Sequence, residues 1–135
     1  MFSTLDHIGI AVRSLDRSLL TYRDQLGFRY EATEEVPTEQ VRVAILYSGQ
    51  TRIELLEATS ERSPISLFLT KKGEGIHHVA FAVQDVQTEV DRLKKVGTIV
   101  IDPAPRPGAQ GCKVAFIHPK STGGILMELV ERPNV

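Results

Sequence analysis

Two histidines and two glutamates stand out because each recurs in a second copy of its surroundings. His7 opens the run His-Ile-Gly-Ile-Ala-Val, and His78, 71 positions later (78 − 7), opens His-Val-Ala-Phe-Ala-Val. Glu54 lies in Ile-Glu-Leu-Leu-Glu, and Glu128, 74 positions later (128 − 54), lies in Met-Glu-Leu-Val-Glu. The nearly equal offsets indicate an internal duplication in which each half carries one His and one acidic strand.

These four residue types suit the binding of a divalent cation. A pseudo-twofold relation between the halves would bring the two His and the two Glu together. Carboxylates between large apolar residues are costly to bury unless they are paired or bind a cation. Imidazole and carboxylate ligands suit Co²⁺, Mn²⁺, Ni²⁺ or Zn²⁺, and the pattern does not choose among these ions. The alternative is that the glutamates line a solvated face of a sheet.

The alternation of side chains along a strand separates inward from outward residues. Glu54 shares a strand face with Leu56, whereas Glu57 lies on the other face. The same rule makes Glu131 an outward carboxylate if Glu128 points inward. His77 and His78 must point in opposite directions, so we expect a structural role for His77.

The elements that position these residues form a strand–helix–strand–strand–strand unit. Ser14 is the expected N-cap of a helix that stops at Gly27. The predicted strands of the first half are residues 5–12, 28–33, 41–47 and 52–57, and residues 34–40 are predicted to form a loop.

The second half repeats this order after a linker helix that begins at Ser63-Pro64. Asp85 is the expected cap of a helix that stops at Gly97. The predicted strands are residues 76–83, 98–101, 113–117 and 125–131, and the predicted loops are residues 102–111 and 118–124.

Two tandem βαβββ modules therefore account for nearly all 135 residues, and the fold class is α+β. We predict one domain, with module 1 at about 1–58, the linker helix at about 59–74 and module 2 at about 75–135. The net charge of −1 argues against nucleic-acid or membrane partners. Cys112 is the single cysteine, so no intramolecular disulfide can form. No stretch resembles a signal peptide or a membrane span, so a cytoplasmic protein is expected.

The chain resembles the vicinal oxygen chelate superfamily and, within it, the methylmalonyl-CoA epimerase family. The resemblance covers essentially the full length. Five stretches carry it: residues 6–12, 53–57, 73–81, 107–109 and above all 116–129, which reads Phe-Ile-His-Pro-Lys-Ser-Thr-Gly-Gly-Ile-Leu-Met-Glu-Leu. Glyoxalase-type members usually have an Asp-Pro-Asp-Gly turn where this chain has His-Pro-Lys-Ser.

The resemblance implies a pseudosymmetric, curved, cup-like mixed sheet with the helices outside. It implies a metal held by His7, His78 and Glu128, with Glu54 at a fourth position that is Gln or Glu in the family. It favours Co²⁺, with Mn²⁺, Ni²⁺ or Zn²⁺ as alternatives. Some family members carry a proposed catalytic Glu on the third strand, where this chain has Val43, so either the base is another group or the proton relay differs from that of those members.

The activity that the resemblance implies is epimerisation of (2R)- and (2S)-methylmalonyl-CoA through an enolate. We expect Glu128 and Glu54 to be the two acid/base residues, one for each face of C2. Lys120 and Ser121 are candidates for binding the anionic groups of the acyl-CoA thioester, although an ordinary solvated turn is the alternative for both. A homodimer is also implied.

Other functions remain open at this point. A lactoylglutathione-lyase-like isomerase would use the same four residues on a glutathione hemithioacetal. A non-catalytic small-molecule-binding member of the superfamily would bind no stoichiometric metal. An extradiol dioxygenase is less favoured, because its site uses two His and one Glu around Fe²⁺ and leaves the fourth position open.

Overall fold

The computed structural model describes residues 1–134, which form two compact units. Residues 7–77 form what we call the His7 unit, and residues 1–6 together with 78–134 form the His78 unit. The boundaries fall inside two equivalent strands, β1 (Thr4–Ala11) and β5 (Gly75–Ala82). The His7 unit therefore begins at His7, and the longer segment of the His78 unit begins at His78.

The His7 unit combines a four-stranded mixed sheet with two α-helices. Its elements after β1 are α1 (Leu15–Leu19), β2 (Arg29–Val36), β3 (Val41–Ser48), β4 (Thr51–Ala58) and α2 (Pro64–Lys72). The strand order is β2-β3-β4-β1, and β1 runs parallel to β4 while the other pairs are antiparallel. One face of the sheet packs against α1 through the buried side chains Val12, Leu15, Ala44, Leu46, Ile53 and Leu55.

Helix α1 begins at its predicted cap but widens before it ends. The Ser14 hydroxyl accepts a hydrogen bond from the Arg17 backbone N–H at 3.2 Å. Residues 20–25 form a π-helical turn, in which the Leu26 N–H donates to the Thr21 carbonyl at 2.8 Å. A π turn holds an extra residue, so it shifts the apolar periodicity and leaves Leu26 57% exposed. The single regular helix predicted up to Gly27 is therefore wrong in its second half.

Strand β2 is longer than its sequence predicts. The predicted loop at residues 34–40 is wrong for Glu34 to Val36, which pair with Val43 to Val41 of β3. Backbone pairing with a buried neighbour outweighs the polar composition of this stretch. The loop that remains contains a 3₁₀ turn at Pro37–Glu39.

The His78 unit repeats the arrangement. After β5 come α3 (Val86–Lys95), β6 (Arg106–Pro107), β7 (Lys113–Ile117) and β8 (Met127–Glu131). The strand order is β5-β8-β7-β6, with β5 parallel to β8. The core under α3 consists of Val83, Val86, Val90, Leu93, Ala115, Ile117 and Leu129.

The predicted strand at residues 98–101 is wrong. Only Val100 forms a bridge, to Ile117, while Ile99 and Ile101 are 45% and 48% exposed. The second strand of this unit is instead the short β6, within the predicted loop. Buried Asp102 anchors that loop, because it accepts a hydrogen bond from the Phe116 N–H at 2.6 Å and pairs with Arg106 Nε at 2.9 Å.

The outward carboxylates predicted from strand alternation are confirmed, and they cap the helices. Glu57 Oε2 accepts from the Leu15 N–H at 2.9 Å, and Glu131 Oε1 accepts from the Val86 N–H at 3.0 Å. A carboxylate at a helix N-terminus binds free N–H groups and favours the helix dipole. None of the helices within residues 1–134 has the length and apolar character needed to cross a membrane.

Candidate metal and acid–base site

In the His7 unit, a glycine opposite Glu54 lets His7 and Glu54 meet. Parallel pairing of β1 with β4 puts Gly9 beside Glu54, and His7 lies on the same strand face as Gly9. Because Gly9 brings no side chain, the His7 ring and the Glu54 carboxylate fill this face. His7 Nε2 lies 3.4 Å from Glu54 Oε1.

The His78 unit builds the same pair in the same register. Ala80 lies beside Glu128, as Gly9 lies beside Glu54, and again a small residue leaves room for the ring. His78 Nε2 lies 3.2 Å from Glu128 Oε1. The His78 ring also meets the edge of Phe116, the residue that pairs with Glu128 from β7, at a centroid distance of 5.8 Å.

All four of these side chains are buried. His7 and His78 are 5% and 6% exposed, and Glu54 and Glu128 are 6% and 8% exposed. Burial of an ionised carboxylate is stabilised by hydrogen bonds, by a paired cation or by a metal. In each unit, the imidazole nitrogen and the carboxylate oxygens are donor atoms of the kinds that divalent metal ions accept.

The two pairs differ in one neighbour. Arg52 precedes Glu54 by two residues on β4, and its Nε donates to Glu54 Oε2 at 2.9 Å. Burial alone would lower the pKa of Arg52, but the Glu54 carboxylate and the Tyr47 hydroxyl outweigh burial and raise it above its ordinary value. The equivalent position before Glu128 is Leu126, which carries no charge. Glu54 therefore has a fixed cationic partner on its own strand, and the position equivalent to Arg52 offers Glu128 none.

Sequence analysis missed the role of Arg52, although its position contained the signal. Residues two apart on a strand share a face, so a buried Glu54 brings Arg52 onto the same face. The same alternation places Tyr47, opposite Arg52 in the β3–β4 pairing, within reach of that side chain.

The two predicted substrate-binding residues lie on a 3₁₀ turn, Pro119–Ser121, that precedes β8. The Lys120 side chain is exposed, and its backbone N–H donates to His118 Nδ1 at 3.0 Å. The Ser121 hydroxyl accepts from the Ile99 N–H at 2.9 Å. Ser121 therefore holds the chain after α3, and a role for either residue in substrate binding stays a prediction.

His77 has the structural contact expected for the outward histidine. Its ring meets the edge of Phe68 from α2 at a centroid distance of 5.1 Å. His77 thus packs against α2, and His78 is the histidine that pairs with a glutamate.

Comparison with known families identifies the superfamily of this chain. Residues 6–116 match the model of the glyoxalase/bleomycin resistance protein/dioxygenase superfamily. The chain belongs to this superfamily. The α+β fold class and the membership predicted from the sequence are both confirmed.

Relatives within the superfamily match over nearly the whole chain. An uncharacterized protein of Bacillus subtilis, YqjC, is 42% identical over 94% of this chain and 91% of its own. The ethylmalonyl-CoA/methylmalonyl-CoA epimerase of Cereibacter sphaeroides is 40% identical over 96% and 98%. A variant of Streptomyces coelicolor methylmalonyl-CoA epimerase, solved in complex with 2-nitronate-propionyl-CoA, is 36% identical, with a TM-score of 0.93 over 99% and 100%. The predicted relationship to methylmalonyl-CoA epimerases is therefore confirmed.

Val43 marks where this superfamily member departs from the pattern that the resemblance implies. It is 2% exposed and pairs with Leu56, which shares a strand face with Glu54. An apolar side chain at this position can neither accept nor donate a proton. Any acid/base group on this face of the His7 unit must come from another residue, and Glu54 is the buried carboxylate available there.

Proposed function

We propose that this protein catalyses metal-dependent epimerisation of (2R)- and (2S)-methylmalonyl-CoA by proton abstraction at C2. The observation that carries the proposal is the pair of buried His–Glu contacts, one in each unit, in equivalent strand registers. Two relatives that this chain matches over nearly their full length are epimerases of acyl-CoA thioesters.

The donor set fits a divalent metal. Two imidazoles and two carboxylates are the mixed nitrogen and oxygen ligands that Co²⁺, Mn²⁺, Ni²⁺ and Zn²⁺ accept. We propose that His7, Glu54, His78 and Glu128 hold one such ion, with Co²⁺ favoured. When bound, the ion supplies Lewis-acid stabilisation of the negative charge that develops on the thioester oxygen.

The proton transfers are assigned to the two glutamates. Inversion at C2 needs one group to remove a proton from one face and another to deliver a proton to the opposite face. We assign these roles to Glu54 and Glu128, because they occupy equivalent positions of the duplicated units. Burial keeps bulk water away from both carboxylates, so a proton taken from C2 stays within the site.

The substrate is proposed to be a CoA thioester of a 2-substituted malonate. Lys120 supplies an exposed cation and Ser121 a hydroxyl near the start of β8, and both are proposed to contact anionic groups of the substrate. The name of the Cereibacter relative includes ethylmalonyl-CoA, so both acyl groups should be assayed. A homodimer and a cytoplasmic location complete the proposal, and sedimentation and cell fractionation would test them.

Proton exchange at C2 tests the function directly. The protein, freed of metal and reloaded with Co²⁺, should exchange the C2 proton of methylmalonyl-CoA for deuterium in D₂O, as followed by NMR. His78→Ala should lose Co²⁺ binding and exchange together, and His77→Ala is the matched control that should retain both. Absence of exchange with Co²⁺, Mn²⁺, Ni²⁺ and Zn²⁺ alike would refute the epimerase.

Two further measurements separate the alternatives. Conversion of the hemithioacetal of methylglyoxal and glutathione, without exchange on methylmalonyl-CoA, would identify a lactoylglutathione-lyase-like isomerase. Failure to bind any of the four ions stoichiometrically would identify a metal-free binding protein.

A further inference from the structure

The buried Arg52 side chain lies where it can fix the orientation of the Glu54 carboxylate. Its side chain is 5% exposed, which removes it from the solvated surface where Arg–Glu pairs contribute little. Its Nε donates to Glu54 Oε2 at 2.9 Å, while its Nη1 donates to the Tyr47 hydroxyl at 3.1 Å. The planar guanidinium thus bridges two fixed acceptors on neighbouring strands.

In this arrangement the two carboxylate oxygens of Glu54 have different partners. Oε2 is held by Arg52, and Oε1 points to His7 at 3.4 Å. Rotation of the carboxylate would break the contact with Arg52, and Tyr47 in turn limits the rotation of Arg52. Arg29 lies over the other part of the Tyr47 ring, 4.7 Å from its centroid, and adds to the order of this cluster.

The position equivalent to Arg52 in the His78 unit carries no charge. Glu128 makes the same contact with its histidine, but the residue two positions before it is Leu126. Both units therefore share the His–Glu pair, and at this strand position the His7 unit has an arginine where the His78 unit has a leucine.

We propose that Arg52, held by Tyr47, is a positioning residue that fixes Glu54 so that only Oε1 is offered to the metal and to the reacting proton. This inference rests on the proposed function, since it assigns how one of the proposed ligands is presented. Arg52 is buried and donates to Glu54 and Tyr47, so we assign it a positioning role through Glu54 and not a contact with the substrate.

Co²⁺ binding by Arg52→Met measures this role. Groups that orient metal ligands typically contribute 10- to 100-fold to affinity, so the Kd for Co²⁺ should rise by about that factor, as measured by titration calorimetry. The visible spectrum of the Co²⁺ complex should change as well, because a rotating carboxylate alters the coordination. In C2 exchange, kcat should fall while KM for methylmalonyl-CoA stays unchanged.

Further variants tie these effects to Glu54. In the Glu54→Ala background, Arg52→Met should have no additional effect, because no carboxylate remains to be oriented, and this double variant also avoids leaving a buried carboxylate unpaired if Arg52→Met folds poorly. Arg52→Lys should restore part of the affinity, because Lys can donate to Glu54 but cannot also bridge to Tyr47. Tyr47→Phe should give a smaller loss than Arg52→Met.

Arg42→Met is the matched control. Arg42 Nη1 contacts Glu57 Oε1 at 3.0 Å on the other face of the same sheet, and both side chains are more exposed than those of Arg52 and Glu54. Its loss should leave the Co²⁺ Kd and spectrum unchanged. If the unaltered protein binds Co²⁺ and exchanges the C2 proton but Arg52→Met has the same or a lower Kd, the Arg52 inference is overturned and the proposed function stands. If the unaltered protein binds none of Co²⁺, Mn²⁺, Ni²⁺ and Zn²⁺, both fail.

Discussion

Glu54 and Glu128 occupy the same register in the two units, yet their surroundings differ. Glu54 is held by Arg52 on its own strand, whereas Glu128 has Phe116 opposite it and Leu126 two positions before it. Two equivalent carboxylates with unequal neighbours suit a reaction that treats the two faces of one carbon separately. Val43 is buried and apolar, so this position of the third strand supplies no carboxylate to the His7 unit.

Replacing each glutamate by glutamine tests this division of roles. Glutamine keeps an oxygen donor but cannot accept the C2 proton, so Glu54→Gln and Glu128→Gln should each lower epimerisation about 10²- to 10⁴-fold. Each variant should still exchange the C2 proton of one enantiomer in D₂O, and the two variants should retain opposite enantiomers. NMR with the separate (2R) and (2S) thioesters gives the measurement. If one variant kept exchange of both enantiomers while the other lost both, a single carboxylate would serve both faces.

At the scale of elements, a helix must end before the chain can turn back to the sheet. Gly97 ends the segment after α3 with a φ of +87°, a left-handed conformation that costs an L-residue about 1–2 kcal/mol. An added Cβ at Gly97 would meet nothing within 4 Å, so the backbone conformation alone decides the cost. The stop directs the chain back toward β7, where the Ile101 N–H donates to the Phe116 carbonyl at 2.8 Å and Asp102 accepts from the Phe116 N–H at 2.6 Å.

Gly97→Ala should therefore lower the free energy of unfolding by about 1 kcal/mol in urea denaturation. Gly75→Ala is the control, because a Cβ there also meets nothing within 4 Å and the residue has no positive φ. Equal stability of the two variants would mean that the left-handed turn carries no cost here.

Sequence patterns predicted the helix caps and missed features that depend on the rest of the fold. The caps at Ser14, Ser63 and Asp85 are confirmed, because a cap depends on local hydrogen bonds; Asp85, for example, accepts from the Thr88 N–H, and this bond lowers the pKa of Asp85. The π turn at residues 20–25 was missed, since its extra residue leaves the local composition unchanged. Residues 98–101 look like a strand, but their neighbours in the fold leave their backbone only one bridge.

At the scale of the whole molecule, duplication explains which parts of the site were predictable. The His–Glu contacts follow from equal offsets, because parallel pairing sets Gly9 beside Glu54 and Ala80 beside Glu128. Arg52 has no copy in the second unit, so no comparison between the halves could reveal it. Features that have no copy in the other half, such as Arg52, are therefore the ones that cannot be predicted from the repeat.

The proposed ligands come from both units. A bound metal should therefore stabilise both units together, and the chain should unfold in one cooperative transition. A ligand at 100 times its Kd adds about 2.7 kcal/mol to the free energy of unfolding. For a chain of this length, that corresponds to a rise in Tm of roughly 10 °C. Calorimetry of the metal-free protein with added Co²⁺ should show a single transition that moves upward by about this amount.

The variants distinguish a shared ion from ions bound by the separate pairs. His7→Ala and His78→Ala remove ligands from different units, so each should abolish the whole shift if one ion uses both pairs. His77→Ala should preserve the shift, because its ring packs on Phe68. If His7→Ala and His78→Ala each left about half of the stabilisation, the two pairs would bind separately. The duplication would then have produced two sites where the proposed mechanism requires one.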